Sequence, residues 1–468
     1  MKTKKYTIVI LALVAFLSAQ IAGAVTNVVL PGESIQAQIN LSGDGDTVAI
    51  FGGTYNEDLV ITQAVRLAEV SGQDVIINGS LLISGVTDAP PLEGFSIGSS
   101  GRGLTISNTP SILLKNLNLS GGSGLIANGI TYLQIQDSQA SAISITGTTV
   151  HIVGTIVSGN LISTVHRTIL NDSTIGGNYN QNIGYLFSSD TQIGNLTSVA
   201  NCTSMIFRCS LGQAALNGSI NVISYSYIGN YNSNASNSTH KLVGCRINQG
   251  RARVTGVSIN GGGNNVLIAN CDLRASGFNN GSGVCSGTWA SKGIVLSATN
   301  NTGYIINNYI DGPGAFACDE RTRDENTAIF SAGTGVSIIN TIITKKSRGI
   351  NAPFGTKAFG NYNYTVTTAY YGGVVPTEAY SSDPLYNTAS YALLTNSPCI
   401  DGGTTDPRYR DRDGSRADAG PTGGAWFDPS GWTSDVPVVV SFDLSTDQYL
   451  EGTLAEILLS GGHAVSVP

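Results

Sequence analysis

Along the middle of the chain, short apolar stretches alternate with polar turns at a nearly constant spacing. The copies are Leu117-Asn118-Leu119, Thr155-Ile156, Thr174-Ile175, Cys209-Ser210-Leu211, Tyr227-Ile228, Cys245-Arg246-Ile247, Cys271-Asp272-Leu273, Tyr309-Ile310 and Ile342-Ile343, with weaker ones at Ala140 and Ile193. Between Leu119 and Ile247 they recur about every 18 residues. A unit this short cannot bury its own apolar face, so successive units must stack into a coil. The pattern therefore predicts an all-β solenoid. Beyond Ile247 the steps to Leu273, Ile310 and Ile343 lengthen, which places insertions at 276–301 and 311–335 on successive coils.

The two ends read differently. An open end of a β-coil exposes unpaired edges and needs a cover. A Pro31-Gly32 turn followed by Ser34, Ile35 and Ile39 predicts a short amphipathic capping helix over 34–40, with Ser34 as its N-cap. Strands broken by Gly-rich turns follow, through Asp46-Thr47-Val48, Gly53-Thr54-Tyr55 and Leu59-Val60-Ile61. After Gly424, the residues Trp426, Pro429, Trp432 and Pro437 mark a linker, and 438–444 and 454–459 read as two more strands. This tail is too short for an independent domain. Its strands either pack on the flank of the coil or pair with the edge of another chain.

The block from Val28 to Ile61 resembles the start of right-handed parallel β-helix proteins of the pectin-lyase-like superfamily: an apolar strand, a Pro-Gly turn, a capping helix with an Ile35-Gln36 pair, then Asp44-Gly45-Asp46-Thr47-Val48 leading to Gly53-Thr54-Tyr55. A second likeness lies at Asp383-Pro384-Leu385-Tyr386, Ser397-Pro398-Cys399-Ile400-Asp401-Gly402-Gly403 and Asp411-Arg412-Asp413-Gly414, continuing to Asp418 and Gly420. Secreted bacterial β-helix repeat proteins close with a similar run, usually with Ala where Cys399 stands. The resemblance implies a right-handed coil over residues 25–424. The period alone also fits a left-handed hexapeptide coil.

Composition adds the compartment. Residues 1–24 read as a secretory signal peptide, with Lys2, Lys4 and Lys5 before an apolar run and Ala22-Gly23-Ala24 as the cleavage site. The apolar run is short for a membrane anchor, and no transmembrane segment is expected in the mature chain. The full sequence carries net charge −7, and loss of the three lysines makes the mature chain more acidic still. That argues against nucleic acid as a partner and against acidic polysaccharide except where basic residues cluster. Of the seven cysteines, Cys209, Cys245 and Cys271 share one repeat position and are expected to point inward as small apolar residues. Cys285 and Cys318, in the two insertions, are the disulfide candidates.

Catalytic signatures are sparse on the same chain. Polysaccharide hydrolases need paired carboxylates, and lyases need a base beside a neutralised uronate. No Asp-Asp pair or Gly-His-Gly occurs, and the four histidines are scattered. The densest polar cluster runs from Asp319 through Glu320, Arg321 and Arg323 to Glu325. Its alternating signs suit a solvated, self-paired loop. With Trp289 and Lys292 from the other insertion it also makes a sugar-binding groove of an aromatic platform, cations and carboxylates. Asp411, Asp413 and Asp418 around Gly414 resemble an abbreviated Ca²⁺ loop, or simply turn formers. The expectation is a secreted or cell-surface β-helix that binds a polysaccharide or cell-surface glycan, or serves structurally, without catalysis. The alternatives are a polysaccharide lyase, and a self-associating module joined through the C-terminal strands of residues 425–468.

Overall fold

The structure is a computed structural model, and it describes residues 24–70, 74–98, 103–122, 124–249, 255–275, 292–312 and 326–425. The chain forms two compact units, one ending at Thr148 and one starting at Thr149. Both are parallel β-solenoid, about 15 turns in all, with a single α-helix. Among the described residues, no helix is long and apolar enough to cross a membrane.

The first unit opens as the Pro-Gly turn and apolar spacing predict. The helix spans Ile35–Leu41 and buries Ile35 and Ile39. Ser34 Oγ accepts from Ala37 N at 3.1 Å, which satisfies one of the first-turn donors a helix leaves open. The Glu57 carboxylate takes two more, from Ile35 N at 2.6 Å and Gln36 N at 3.3 Å, and favours the positive end of the helix. Strands Thr26–Val29, Thr47–Ile50 and Arg66–Glu69 then stack in parallel register, Val28 on Ala49 on Ala68. Leu59–Ile61, Leu81–Ser84 and Leu104–Ser107 do the same on another side of the coil.

In the second unit the triplets are the wall itself. Thr174 pairs with Gln192, then Ser210, Tyr227, Arg246, Asp272, Tyr309, Ile342 and Tyr362, one per coil. The residue after each points inward: Ile175, Ile193, Leu211, Ile228, Ile247, Leu273, Ile310 and Ile343 are all buried. Each such side chain contributes roughly 1.5–3 kcal/mol of hydrophobic stabilisation. Two residues before each triplet's outward member the backbone turns through the left-handed region, at Asp172, Asp190, Arg208, Tyr225, Gly244, Asn270, Asn307 and Asn340. Asn, Asp and Gly adopt it most readily, which explains their abundance at that position.

The residue after each left-handed turn is Ser173, Thr191, Cys209, Ser226, Cys245, Cys271, Asn308 or Thr341. Its side chain donates back to a main-chain carbonyl: Ser173 Oγ to Asn171 O at 2.7 Å, Thr191 Oγ1 to Ser189 O at 2.8 Å, Cys271 Sγ to Ala269 O at 3.2 Å. Some also accept from the preceding coil, as Ser226 Oγ does from Cys209 N at 3.0 Å. The repeat-position cysteines are buried as the sequence implies. They stand where other coils carry Ser or Thr, so the position selects a small donor and not apolarity alone.

Candidate functional sites on the second unit

The sheet that follows each triplet turns outward a face made almost wholly of amides and hydroxyls. Parallel register stacks Asn178, Asn195 and Gln213 in one column and Asn180, Thr197, Ala215, Asn232 and Ser258 in the next. A third column contains Asn182, Asn217, Asn234 and Asn260, all partly or fully exposed, with the exposed Val199 between the first two. The side chains hydrogen-bond along the columns: Asn195 Nδ2 to Asn178 Oδ1 at 2.9 Å, Thr197 Oγ1 to Asn180 Oδ1 at 2.6 Å, Asn260 Nδ2 to Asn234 Oδ1 at 2.9 Å. None of these positions carries a charge. The grid repeats about every 4.8 Å between coils and about every 6.8 Å along a strand.

Glycine keeps this face in line. Gly176, Gly194, Gly212 and Gly229 follow the buried Ile or Leu of their triplets, and each packs on the backbone of the coil before it. A Cβ on Gly194 would lie 2.6 Å from the Gly176 carbonyl oxygen, closer than atoms can approach. The recurring Ile-Gly and Leu-Gly pairs therefore mark where the chain bends tightly onto its neighbour.

The other flank is covered. The C-terminal segment, from Gly372 to Ala425, lies against the outward members of the last triplets. Tyr386 stacks on Tyr309 with ring centroids 4.1 Å apart, and Tyr380 stacks on Tyr362 at 4.7 Å. Cys399 and Ala419 are buried with Tyr309, Ile342 and Tyr362. The left-handed asparagines hold the segment's backbone: Asn270 Nδ2 donates to Gly423 O at 2.6 Å and Asn307 Nδ2 to Asp418 O at 2.7 Å, while Asn340 Oδ1 accepts from Thr404 N at 2.7 Å. The Ser397-Pro398-Cys399 run docks here, with Tyr362 Oη donating to Pro398 O at 2.6 Å.

A cavity of about 270 Å³ remains between this segment and the wall. Asp272, 4% exposed, is held on its floor by three donors: Arg274 Nε at 2.7 Å, Arg274 Nη2 at 2.9 Å and Tyr386 Oη at 2.8 Å. The Tyr391 ring lies against two guanidinium groups, Arg246 at 3.7 Å and Arg274 at 4.3 Å from its centre. Arg246 also donates to Tyr227 Oη at 2.5 Å. Burial, with the Asp272 carboxylate beside it, raises the Tyr386 phenol far above its ordinary range, so it stays a donor.

No family model and no curated protein matches this sequence.

Most of the loop groove expected from the sequence lies outside the described residues: Trp289, Asp319, Glu320, Arg321, Arg323 and both disulfide candidates, Cys285 and Cys318. So do residues 1–23, nearly all of the expected signal peptide, and the tail from residue 426. Lys292 is described; it is half-buried, and its carbonyl accepts from Gly256 N at 3.0 Å at the entry to the next coil.

The acidic loop near the C-terminus is built as turns. Asp411 accepts from Asp418 N at 3.0 Å and from Gly424 N; Asp413 accepts from Ser415 N at 2.9 Å; Asp418 accepts from Asp401 N at 2.7 Å. The carboxylates point to separate backbone donors, and among the described residues no three His, Cys, Asp or Glu gather to hold a metal ion. These hydrogen bonds are those of the turn-former reading of Asp411, Asp413 and Asp418. Burial, reinforced by the neighbouring carboxylates, lifts Asp418 to about 6.

Carboxylates elsewhere on the unit are engaged by cations. Asp190 pairs with Arg208 at 2.8 Å and Asp311 with Lys345 at 3.4 Å. His240 is enclosed in the wall, its Nδ1 2.6 Å from Tyr231 Oη, and burial pulls it down to about 4.

The sequence carried a signal for the amide face that triplet alignment alone leaves unread. Four successive triplets are followed by Gly and then by Asn or Gln within two residues, as in Ile193-Gly194-Asn195 and Leu211-Gly212-Gln213. Arg246 and Asp272 were aligned by the triplets, but Tyr386 and Tyr391 lie more than a hundred residues further on, and nothing local couples them to the wall.

Proposed function

We propose that this protein is a secreted β-helix of the pectin-lyase-like type that binds a neutral polysaccharide without cleaving it. The observation that carries this reading is the uncharged amide face. A neutral glycan presents hydroxyls that both donate and accept, and Asn, Gln, Ser and Thr are the side chains that reciprocate both roles without a desolvated charge. An acidic chain that leaves one broad face free of charge has a surface from which neither sign of polymer is favoured. The engagement of Asp190, Asp272 and Asp311 by cations supports binding over hydrolysis, which needs two carboxyl groups facing one bond.

The test is retention of the mature protein on insoluble neutral glycans, cellulose, chitin and xylan among them. Replacing Asn178, Asn195 and Asn232 together by alanine should weaken retention about tenfold or more, at roughly 0.5–1.5 kcal/mol per hydrogen bond lost. Equal retention of the triple variant, or no retention of the wild type on any neutral glycan, removes the reading.

A further inference from the structure

Two further columns face outward on the strands that precede the triplets. Ser189 pairs with Phe207, then Ser224 and Val243; Phe187 pairs with Met205, then Val222 and Lys241. Their strand neighbours Ile206, Ile223 and Leu242 point into the coil, so both columns lie on its outer surface. In later coils the same columns run into a covered region. There Val243, Leu267, Ala269, Ile306 and Ile339 form one buried cluster against Phe359 and Tyr409. Tyr409 belongs to the C-terminal segment, which is therefore part of the cover at that point.

Burial runs on past that cluster, toward earlier coils. Val222 is 3% exposed and Met205 6%, and Phe207 is buried beside them. The Tyr225 ring, edge-on at 5.9 Å, and the Arg208 guanidinium, 4.8 Å from the ring centre, cover part of Phe207. On the same strands, two residues before Phe187 and Val222, Tyr185 and Ile220 are open at 52% and 39%. Outward apolar side chains enclosed as well as Met205 and Val222 belong under a second layer of chain, and that layer ends before Tyr185 and Ile220.

The C-terminal segment is directed toward this surface. Thr404 N is held at the Asn340 turn at 2.7 Å and Gly423 O at the Asn270 turn at 2.6 Å, so the chain advances toward earlier coils between them. The next left-handed turns in that direction are Gly244, Tyr225 and Arg208, the last beside Phe207. These rungs span roughly 14 Å, which extended chain covers in about five residues. The residues after Ala425 begin with Trp426-Phe427 and continue to Trp432 and Val438-Val439-Val440, apolar enough to match the columns. We propose that residues 426–440 extend the cover, laying Trp426, Phe427 and Trp432 over Phe207, Val222 and Met205 of the same chain. This assigns the tail to its own coil and not to the edge of a neighbouring molecule.

Met205 reports on this contact, because it is the sole methionine of residues 25–468. Timed oxidation by dilute hydrogen peroxide, read by peptide mass, measures its accessibility in the full mature chain. Wild type should oxidise slowly at Met205 and run as a monomer in light scattering. Trp426→Ala, Phe427→Ala and Trp432→Ala together should speed the oxidation about tenfold, with circular dichroism unchanged. Val439→Asp is the second variant should the triple one fail to fold, and it should act in the same direction. Oxidation of folded wild type as fast as that of the urea-unfolded chain, or no acceleration in a folded variant, overturns the docking. Protection that is lost on dilution, with a dimer at high concentration, overturns the choice of occupant and gives the flank to a second copy.

Discussion

The same coils turn two unlike surfaces outward. On one, columns of Asn, Gln, Ser and Thr stand open and uncharged. On the other, Tyr309, Ile342, Tyr362, Arg246 and Asp272 lie beneath the C-terminal segment. Both arise from one rule, that in-register parallel strands put equivalent outward residues in a column. The difference lies in what the column contains. A column of aromatic residues with Asp272 and two arginines must be covered and paired, because bare aromatic area and unpaired buried charge are both costly. A column of amides is satisfied by its own neighbours and by water, so it can remain free for a partner.

The largest predicted effect breaks the covered side. Arg274→Ala strips the buried Asp272 of its bidentate partner and should cost roughly 3–5 kcal/mol in urea unfolding. Acidification probes the wall between the two sides. His240 has a folded pKa near 4 against 6.5 when exposed, so the unfolded chain binds the proton more readily. Its contribution is complete above pH 6.5 and is lost as pH falls toward 4, a difference worth roughly 3 kcal/mol. Asp418, lifted to about 6, has the opposite sign: it favours the fold below its ordinary pKa and loses that contribution as pH rises through 6. A His240→Leu variant should unfold in urea with a flattened or reversed pH slope between 4 and 6.5; an unchanged slope would assign the acid sensitivity elsewhere.

Smaller effects sharpen the contrast. Gly194→Ala should cost about 1–3 kcal/mol by pressing a methyl group into the neighbouring backbone, although it lies on the open side. Cys271→Ser should be nearly silent, whereas Cys271→Val should cost about 1 kcal/mol, because the position uses a donor. Asn178→Ala alone should leave stability within about 0.5 kcal/mol while still weakening glycan retention. A chelator should leave the melting temperature unmoved, as the turn-forming roles of Asp411, Asp413 and Asp418 require.

Much of the wall was legible because solenoid register is a local property. Ile175, Ile193 and Leu211 announce the buried column by spacing alone, and Ser34 with Ile35 and Ile39 announces the helix. The cysteine position was read as apolar because a thiol, a hydroxyl and an amide look unrelated until their shared bond to a main-chain carbonyl is seen. The cavity was not legible at all. Its chemistry depends on Tyr386 and Tyr391 returning to residues more than a hundred positions earlier, and no periodicity encodes a return of that length. The acidic loop reads both ways in sequence, because Asp and Gly are chosen for turns and for cation loops alike.

The wall ignores how much chain separates its members. Asp272 meets Tyr309 and Ile294 meets Ile329 in unbroken register, although the intervening stretches are much longer than a regular coil. The corner that carries residues 276–291 and 313–325 is therefore a docking point whose cargo can be exchanged. A foreign loop or small domain spliced there would be displayed on a stiff support, with each further coil offering another attachment site at a fixed interval.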